Sequence, residues 1–218
     1  MTIQVAVVDN DILALRCLSA ALRQIDGISI CHLAKNGNEA FDYVQRTMAS
    51  SRAPDLMLVD MSMRHMSGID LCEAVRHLDG RIILLGVTSY DPSSYFHDAV
   101  QSGMQGLMAK EEITRLPEIL RILCNGGSWP DTREISFESP GQSHQRLHAQ
   151  GKPFILLLSQ RERRIMGLCA RGFTNEEIAE QLGIAPSTVQ THIGRITAKL
   201  NVHGKREAIA LWTRKVGL

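Results

Sequence analysis

Residues 174–206 read TNEEIAEQLGIAPSTVQTHIGRITAKLNVHGKR, and this stretch decides the fold of the C-terminal part of the chain. Thr174 and Glu177 have the spacing of a capping box, in which each side chain bonds the backbone N–H of the other residue. Gly183 suits the end of a helix, and Pro186 suits the first turn of the next one. The stretch therefore predicts two short helices that are joined by a tight turn.

The second of these helices has one apolar face. Val189, Ile193, Ile196 and Leu200 follow the spacing of a single buried helical stripe. The opposite face has no bulky apolar residue; it carries Gln190, Thr191, Gly194, Arg195 and Ala198, with His192 and Lys199 on one flank. A helix that enters the major groove of DNA needs such small, amide and cationic side chains, so the pattern predicts a DNA-binding helix-turn-helix.

We predict that the polar and basic positions around this helix contact DNA. Base readout is expected to depend mainly on Gln190, Thr191 and Arg195, because amide and guanidinium groups match base edges and threonine can contact the thymine methyl. The alternative is a small helical domain whose charges form only a solvated face. The full predicted contact set is Thr174, Asn175, Ser187, Thr188, Gln190, Thr191, His192, Arg195, Lys199, Lys205 and Arg206.

Charge separates this region from the rest of the chain. A second capping box at Ser159 and Glu162 predicts an earlier helix, so residues 154–218 are expected to form a domain of about four helices. That region has ten Lys/Arg against five Asp/Glu, whereas residues 1–124 have eleven against fifteen. The net charge of +1 for the whole chain hides this asymmetry, which favours one nucleic-acid-facing domain and one acidic domain.

The N-terminal region alternates short apolar runs with helical patterns. This alternation predicts a (βα)5 arrangement, an α/β fold with a parallel sheet. The predicted strands are Ile3–Val8, Ile28–Leu33, Leu56–Val59, Ile82–Val87 and Gly106–Ala109.

Polar residues follow these strands. In an open parallel sheet, ligands gather beyond the carboxyl ends of the strands. Here those ends are expected to bring Asp9-Asn10-Asp11, Asp60, Thr88-Ser89 and Lys110 together. Carboxylates without a surrounding aromatic cage suit a hard cation such as Mg²⁺, beside which one carboxylate can attack a phosphoryl group. The alternative is that these residues are ordinary strand-end caps and turn acids.

Residues 125–153 are rich in Gly, Ser, Pro and Gln and have no sustained period, so they are interpreted as a flexible linker. No apolar run approaches the roughly 18 residues of a membrane span, and the N-terminus has neither a basic leader nor a cleavage site. We therefore expect a cytoplasmic protein with no membrane partner. The five cysteines are scattered without CxxC spacing, so neither a disulfide framework nor a zinc site is indicated.

Taken together, these motifs resemble a two-component response regulator. The segments LSQRERRIMGLCARGFTNEEIA and LGIAPSTVQTHIGRITAKL are similar to the LuxR-type helix-turn-helix of the NarL/FixJ class. The strand-end acids, hydroxyl and lysine are similar to a CheY-like receiver. The resemblance implies a flavodoxin-like receiver at 1–124, a linker at 125–153 and a small all-α four-helix DNA-binding domain at 154–218.

The resemblance also implies roles for individual residues. Asp60 matches the phosphoacceptor, Thr88 the switch hydroxyl and Lys110 the lysine of the family. The metal set implied for Mg²⁺ comprises Asp9, Asn10, Asp11, Asp60 and Ser62, the last through its main-chain carbonyl.

Several positions depart from the family pattern. Asn10 stands where a second aspartate is usual, which keeps an oxygen but removes a charge, so metal affinity should fall unless Asp11 compensates. Arg64 replaces a proline, Leu107 replaces an aromatic residue at a switch position, and Glu111 follows the lysine in place of proline.

The resemblance implies a transcriptional regulator that a histidine kinase phosphorylates on Asp60 and that binds promoter DNA as a homodimer. Ala208, Leu211 and Trp212 are candidate dimer contacts, with core packing as the rival explanation. An atypical receiver with phosphorylation-independent dimerisation and DNA binding is the alternative. A third hypothesis, a Mg²⁺-dependent phosphatase or phosphotransferase, lacks an identifiable substrate loop or second catalytic base, so we expect a protein that is not an enzyme.

Overall fold

The computed structural model of the protein describes residues 2–50, 52–63, 66–131 and 135–216. The chain divides into two compact units, Met1–Gly151 and Lys152–Leu218. Each unit has its own core.

The first unit is built on a five-stranded sheet with strand order β2-β1-β3-β4-β5, and every neighbouring pair is parallel. The predicted parallel α/β sheet is confirmed, with strand ends that differ by at most one residue. The strands are β1 (Ile3–Val8), β2 (Ile28–Ala34), β3 (Leu56–Asp60), β4 (Ile83–Thr88) and β5 (Gly106–Ala109).

Helices cover the sheet between successive strands. Val5, Val7 and Leu58 form one core with Leu15 of the first helix and Ile119 of the fifth. Each large aliphatic side chain buried in this way contributes roughly 1.5–3 kcal/mol relative to exposure. The helices are α1 (Ile12–Leu22), α2 (Gly37–Thr47), α3 (Gly68–Leu78), α4 (Phe96–Gln101) and α5 (Leu116–Cys124).

The segment after α5 is structured, so the prediction of a flexible linker over 125–153 is wrong for much of its length. Trp129 extends the sheet beyond β5, because its backbone N–H donates to Gln105 O at 3.1 Å and its carbonyl accepts from Leu107 N at 2.9 Å. Helix α6 (Pro140–Gln150) follows, begins with a capping box at Ser139 and packs on α3. Only Ser143 and Leu147 of α6 are buried, so the helix has no apolar stripe that a sequence pattern could reveal.

The described part of the second unit contains four α-helices, as predicted, after a short 3-10 turn at Phe154–Leu157. The helices are α7 (Gln160–Ala170), α8 (Asn175–Leu182), α9 (Pro186–Leu200) and α10 (Lys205–Val216). Both predicted capping boxes are present, at Ser159 and at Thr174. Gly183 ends α8 in the left-handed conformation, with φ 63°. This permissive residue allows the tight turn into α9.

The last helix contributes to the core of this unit. Ala208 and Trp212 are fully buried, and Trp212 packs against Phe154 with ring centroids 6.1 Å apart. Of the two explanations that the sequence left open for these residues, the structure therefore supports core packing. Leu211 remains partly exposed.

Along the described ranges, no helix combines the length and the apolar character needed to span a bilayer.

Candidate functional site

Four side chains of three chemical types gather at the carboxyl edge of the sheet. Asp9 directly follows β1, Asp60 ends β3, Thr88 ends β4 and Lys110 directly follows β5. The strand register pairs Asp60 with Val87 and Thr88 with Ala109. Parallel strands end on the same edge, so residues about a hundred positions apart in sequence are brought into one pocket.

Lys110 joins the two carboxylates of this pocket. Its Nζ lies 2.6 Å from Asp9 Oδ2 and 3.0 Å from Asp60 Oδ1. The Asp9 side chain is 0% exposed, that of Asp60 4% and that of Lys110 21%. One ammonium therefore contacts two buried carboxylates and can neutralise only one of their two charges.

The charges in the pocket shift the protonation of its members. Burial raises the pKa of Asp60, and the charge of Asp9 raises it further, against the opposing effect of Lys110. Burial by itself would lower the pKa of Lys110, but its bonds to Asp9 and Asp60 outweigh burial and raise it. Lys110 is thus held as a cation. The raised pKa of Asp60 indicates that a further positive charge nearby would stabilise its carboxylate.

The other predicted metal residues lie at the rim of the pocket. Asn10, Asp11 and Ser62 are all exposed. The Asp11 carboxylate accepts the backbone N–H of Leu13 at 2.7 Å, so it caps α1. The backbone N–H of Asp11 donates to Asp9 Oδ1 at 2.8 Å. The Asp11 side chain is therefore already used by the helix and is a poor substitute for the acid that Asn10 lacks.

The predicted switch residues are buried. Thr88 is fully buried, and its Oγ1 accepts the backbone N–H of Tyr90 at 3.0 Å. Leu107 is also buried and packs over Gly86, where an added Cβ would lie 2.7 Å from Leu107 Cδ1. Arg64 lies outside the described residues.

Gly68 is a neighbour of Asp60 that the sequence did not single out. A Cβ at this position would collide with the backbone carbonyl oxygen of Asp60 and would lie 2.8 Å from Met61 Cα. The start of α3 is therefore pressed against the backbone that carries Asp60. No sequence pattern indicates this contact, because it depends on how α3 packs against β3.

The donor set of this pocket suits a hard cation. The described residues contain no group of three or more His, Cys, Asp or Glu side chains arranged to hold a metal ion. A pair of carboxylates can still bind Mg²⁺, which keeps several of its waters and takes one or two carboxylates together with phosphate oxygens. Asp9 and Asp60 supply that pair.

The second unit presents the exposed helix face that the sequence predicted. Val189, Ile193, Ile196 and Leu200 are buried, as the stripe requires. His192, Asn175 and Lys205 are partly exposed. The remaining members of the predicted contact set are exposed: Thr174, Ser187, Thr188, Gln190, Thr191, Arg195, Lys199 and Arg206.

Two of the basic residues in this set have partners within the domain. Lys199 Nζ lies 2.7 Å from Glu162 Oε2, whose side chain is only 3% exposed, and Lys205 Nζ lies 2.8 Å from Asn175 Oδ1. Burial alone would raise the pKa of Glu162, but bonds from Lys199 and Ser159 outweigh burial and lower it. Lys199 therefore ties α9 to the capping box of α7, a role that the sequence did not indicate.

Two protein families match the chain. Residues 5–121 match the family described as response regulator receiver domain. Residues 156–212 match the family described as bacterial regulatory proteins, luxR family.

Named relatives span nearly the whole chain. The nitrate/nitrite response regulator protein NarP of Escherichia coli (strain K12) is 29% identical over 98% of this chain and 96% of its own length. The transcriptional regulatory protein DesR of Bacillus subtilis (strain 168) is 26% identical over 95% of this chain and 94% of its own length.

A solved structure shares the fold. RcsB from Salmonella enterica serovar Typhimurium, bound to promoter rprA in the presence of phosphomimetic BeF3-, aligns with a TM-score of 0.51 and 18% identity. The alignment covers 98% of this chain and 99% of that chain.

Proposed function

The chain belongs to the response regulators, with a receiver domain followed by a LuxR-type DNA-binding domain, and from this premise we propose that phosphorylation of Asp60 controls its binding to promoter DNA. The phosphoryl donor is a sensor histidine kinase. The observation that carries the proposal is the Lys110 ammonium placed 2.6 Å from Asp9 and 3.0 Å from Asp60.

The transfer uses the residues of the pocket in distinct roles. A carboxylate oxygen of Asp60 attacks the phosphorus of a phosphohistidine; an O–P bond forms, the N–P bond breaks, and the kinase histidine keeps the electron pair and takes a proton. Lys110 neutralises charge on the phosphoryl oxygens. Mg²⁺, when bound, supplies further positive charge at those oxygens. Asp9 and Asp60 would hold it, with the exposed Asn10 and Ser62 as rim ligands.

Phosphorylation changes the charges around Lys110 and the hydrogen bonds that are open to Thr88. A phosphoryl group adds roughly −1.5 to −2 charge and strong acceptor oxygens to the pocket. Lys110 then has a third anionic partner, and the Thr88 hydroxyl, which now accepts from Tyr90, can donate to phosphate. The receiver shifts between two states, and the readout is homodimerisation or release of the DNA-binding domain.

The exposed face of α9 supports DNA binding by the second unit. Gln190, Thr191 and Arg195 are exposed on a helix whose other side is buried, which suits direct contact with base edges in a major groove. A symmetric dimer would contact two half-sites that lie about one helical turn apart on DNA. The protein would act in the bacterial cytoplasm, where promoter DNA and the kinase domain are accessible.

A regulator that needs no phosphorylation is the second candidate. Two observations favour it: Asn10 brings no charge to the pocket, while Asp11 is committed to capping α1. A third hypothesis is the turnover of a small phosphoester. Among the described residues of the pocket we identify no additional base that would support it. Both relatives described above are named as regulators, and we propose that this chain likewise is not an enzyme.

Intact-protein mass spectrometry tests the proposal. The protein is incubated with Mg²⁺ and a small phosphodonor, alongside Asp60→Asn and the exposed-acid control Asp26→Asn, and DNA affinity is measured on the same samples. We expect one labile phosphoryl adduct in wild type and Asp26→Asn, none in Asp60→Asn, and tighter DNA binding with the adduct. An adduct without any change in DNA affinity, or no adduct with the donor or with kinases, would favour the second candidate.

A further inference from the structure

Three histidines lie where α6 docks on α3. The His77 and His148 ring centroids are 4.2 Å apart, and those of His144 and His148 are 4.5 Å apart. His77 is on α3 and is buried, whereas His144 and His148 are one turn apart on α6 and are more exposed. None of these residues belongs to the acidic pocket or to the exposed face of α9.

Each of the three rings holds a backbone carbonyl at the end of a helix. His144 Nδ1 lies 2.6 Å from Arg76 O, and His148 Nε2 lies 2.8 Å from His77 O. His77 Nε2 lies 3.2 Å from Gly151 O at the end of α6. A carbonyl oxygen can only accept, so each of these nitrogens carries the proton. The imidazoles therefore cap the last turn of α3 and the end of α6, where carbonyls lack helical partners.

Burial and the neighbouring imidazoles oppose a proton on His77. The pKa of His77 is lowered, first by burial and then by the neighbouring His148. The buried Arg76 guanidinium donates to the carbonyls of Gly103, Asp79 and Ile82 and to Gln105 Oε1.

The acids of these segments already have partners. Asp79 pairs with Arg81 at 2.7 Å, and Glu138 pairs with Arg146 at 2.9 Å. Glu73, one turn before His77 on α3, has an interaction of its own. The negative end of α3 favours a single positive charge near its last turn. A charge on His77 would lie against the His148 ring, whose centroid is 4.2 Å from that of His77.

We propose that His77, packed against the His148 ring of α6, makes the docking of α6 pH-sensitive, so that α6 stays on α3 while His77 is neutral and detaches when the pH falls. Detachment frees the 11 residues of α6 to lengthen the chain that connects the two units. A longer connection lowers the effective concentration of one unit near the other.

The sign follows from proton linkage. A group whose pKa is lowered by docking stabilises the docked state above its ordinary pKa, which is about 6.5 for histidine. That stabilisation is lost as the pH falls through this range, because the detached state binds more protons. With one additional proton taken up by His77 in the detached state, the detachment equilibrium rises by at most about tenfold per pH unit, between the ordinary pKa of histidine and the lowered pKa of docked His77.

Hydrogen–deuterium exchange on the full-length protein tests this proposal. The exchange of α6 amides, corrected for intrinsic pH dependence and referred to α1, is compared at pH 7.5 and 5.5 in buffer with EDTA. We expect wild type to lose protection in α6 by up to about tenfold, and the non-titrating His77→Gln variant, which keeps an amide donor, to lose less. The exposed His97→Gln serves as the matched control and should behave as wild type. An unchanged α6 in wild type, or an equal loss in His77→Gln, would overturn the proposal.

An NMR titration decides the case in which His77→Gln is already detached at pH 7.5. The ring resonances of wild-type His77 and the amide resonances of α6 are followed together from pH 8 to 5. A shared midpoint supports a ring that controls docking. A His77 ring that titrates while the α6 amides stay unchanged contradicts it.

Discussion

Replacement of Lys110 by alanine should destabilise the first unit, because two buried carboxylates lose their positive partner. The ammonium bonds two acids whose side chains are 0% and 4% exposed. Removing one partner of a buried ion pair costs roughly 3–5 kcal/mol, because the other partner keeps its desolvation penalty. Lys110 is itself 21% exposed, and Asp60 can take a proton, so we expect a loss near the lower end, about 3 kcal/mol.

The two tryptophans make this measurement specific to one unit. Trp129 is in the first unit and Trp212 in the second, and both are buried. Urea unfolding followed by fluorescence in a Trp212→Phe background therefore reports the first unit alone. The exposed Lys35→Ala is the matched control and should change the free energy of unfolding by less than about 0.5 kcal/mol.

A double-mutant cycle with Asp60→Asn separates the ion pair from other effects of the substitution. If Lys110 acts by neutralising Asp60, its removal should cost about 1–2 kcal/mol less when Asp60 is already uncharged. Millimolar Mg²⁺ should restore part of the stability of Lys110→Ala, because a bound cation replaces the missing charge. Strict additivity of the two substitutions, or a Lys110→Ala protein as stable as wild type, would refute the reasoning.

Three further predictions follow from the two sites. Asp60→Asn should stabilise the first unit at pH 7. The pKa of Asp60 is raised above its ordinary 3.8, so its negative charge destabilises the folded state at this pH. Urea titrations should show that the gain in stability shrinks as the pH falls towards 3.8. Lys199→Met should destabilise the second unit relative to the exposed control Lys215→Met, as read from Trp212 in a Trp129→Phe background. Because Lys199 is 44% exposed, we expect about 2 kcal/mol, less than the roughly 3–5 kcal/mol of a fully buried pair. The pKa of Glu162 is lowered, so the ionised Glu162 stabilises this unit at pH values above its ordinary pKa of 4.5. Wild type should lose that stability as the pH falls through the lowered pKa, and Lys199→Met should lose less stability over the same range. Arg195→Ala should weaken DNA binding and relax sequence preference in a salt-controlled shift assay, whereas Arg214→Ala on α10 should not. Equal affinities for both variants would contradict the assignment of α9.

The sequence by itself determined the elements that have a local period or a local hydrogen-bond motif. The five strands, the stripe of α9 and the capping boxes at Ser159 and Thr174 each depend on residues only a few positions apart. Such short-range patterns also placed Asp9, Asp60, Thr88 and Lys110 at strand ends. The parallel topology then requires those ends to meet on one edge.

Tertiary packing alone decided how several of these residues are used. Lys199 pairs with Glu162 at a separation of 37 positions, and Gln105 bonds Arg76 at a separation of 29. The segment after α5 is ordered by such bonds, including those of His144 and His148 to α3, at separations of 68 and 71. Polar contacts between distant residues leave no period in the sequence. Their partners are chosen by the packing of the elements, so only the folded chain reveals them.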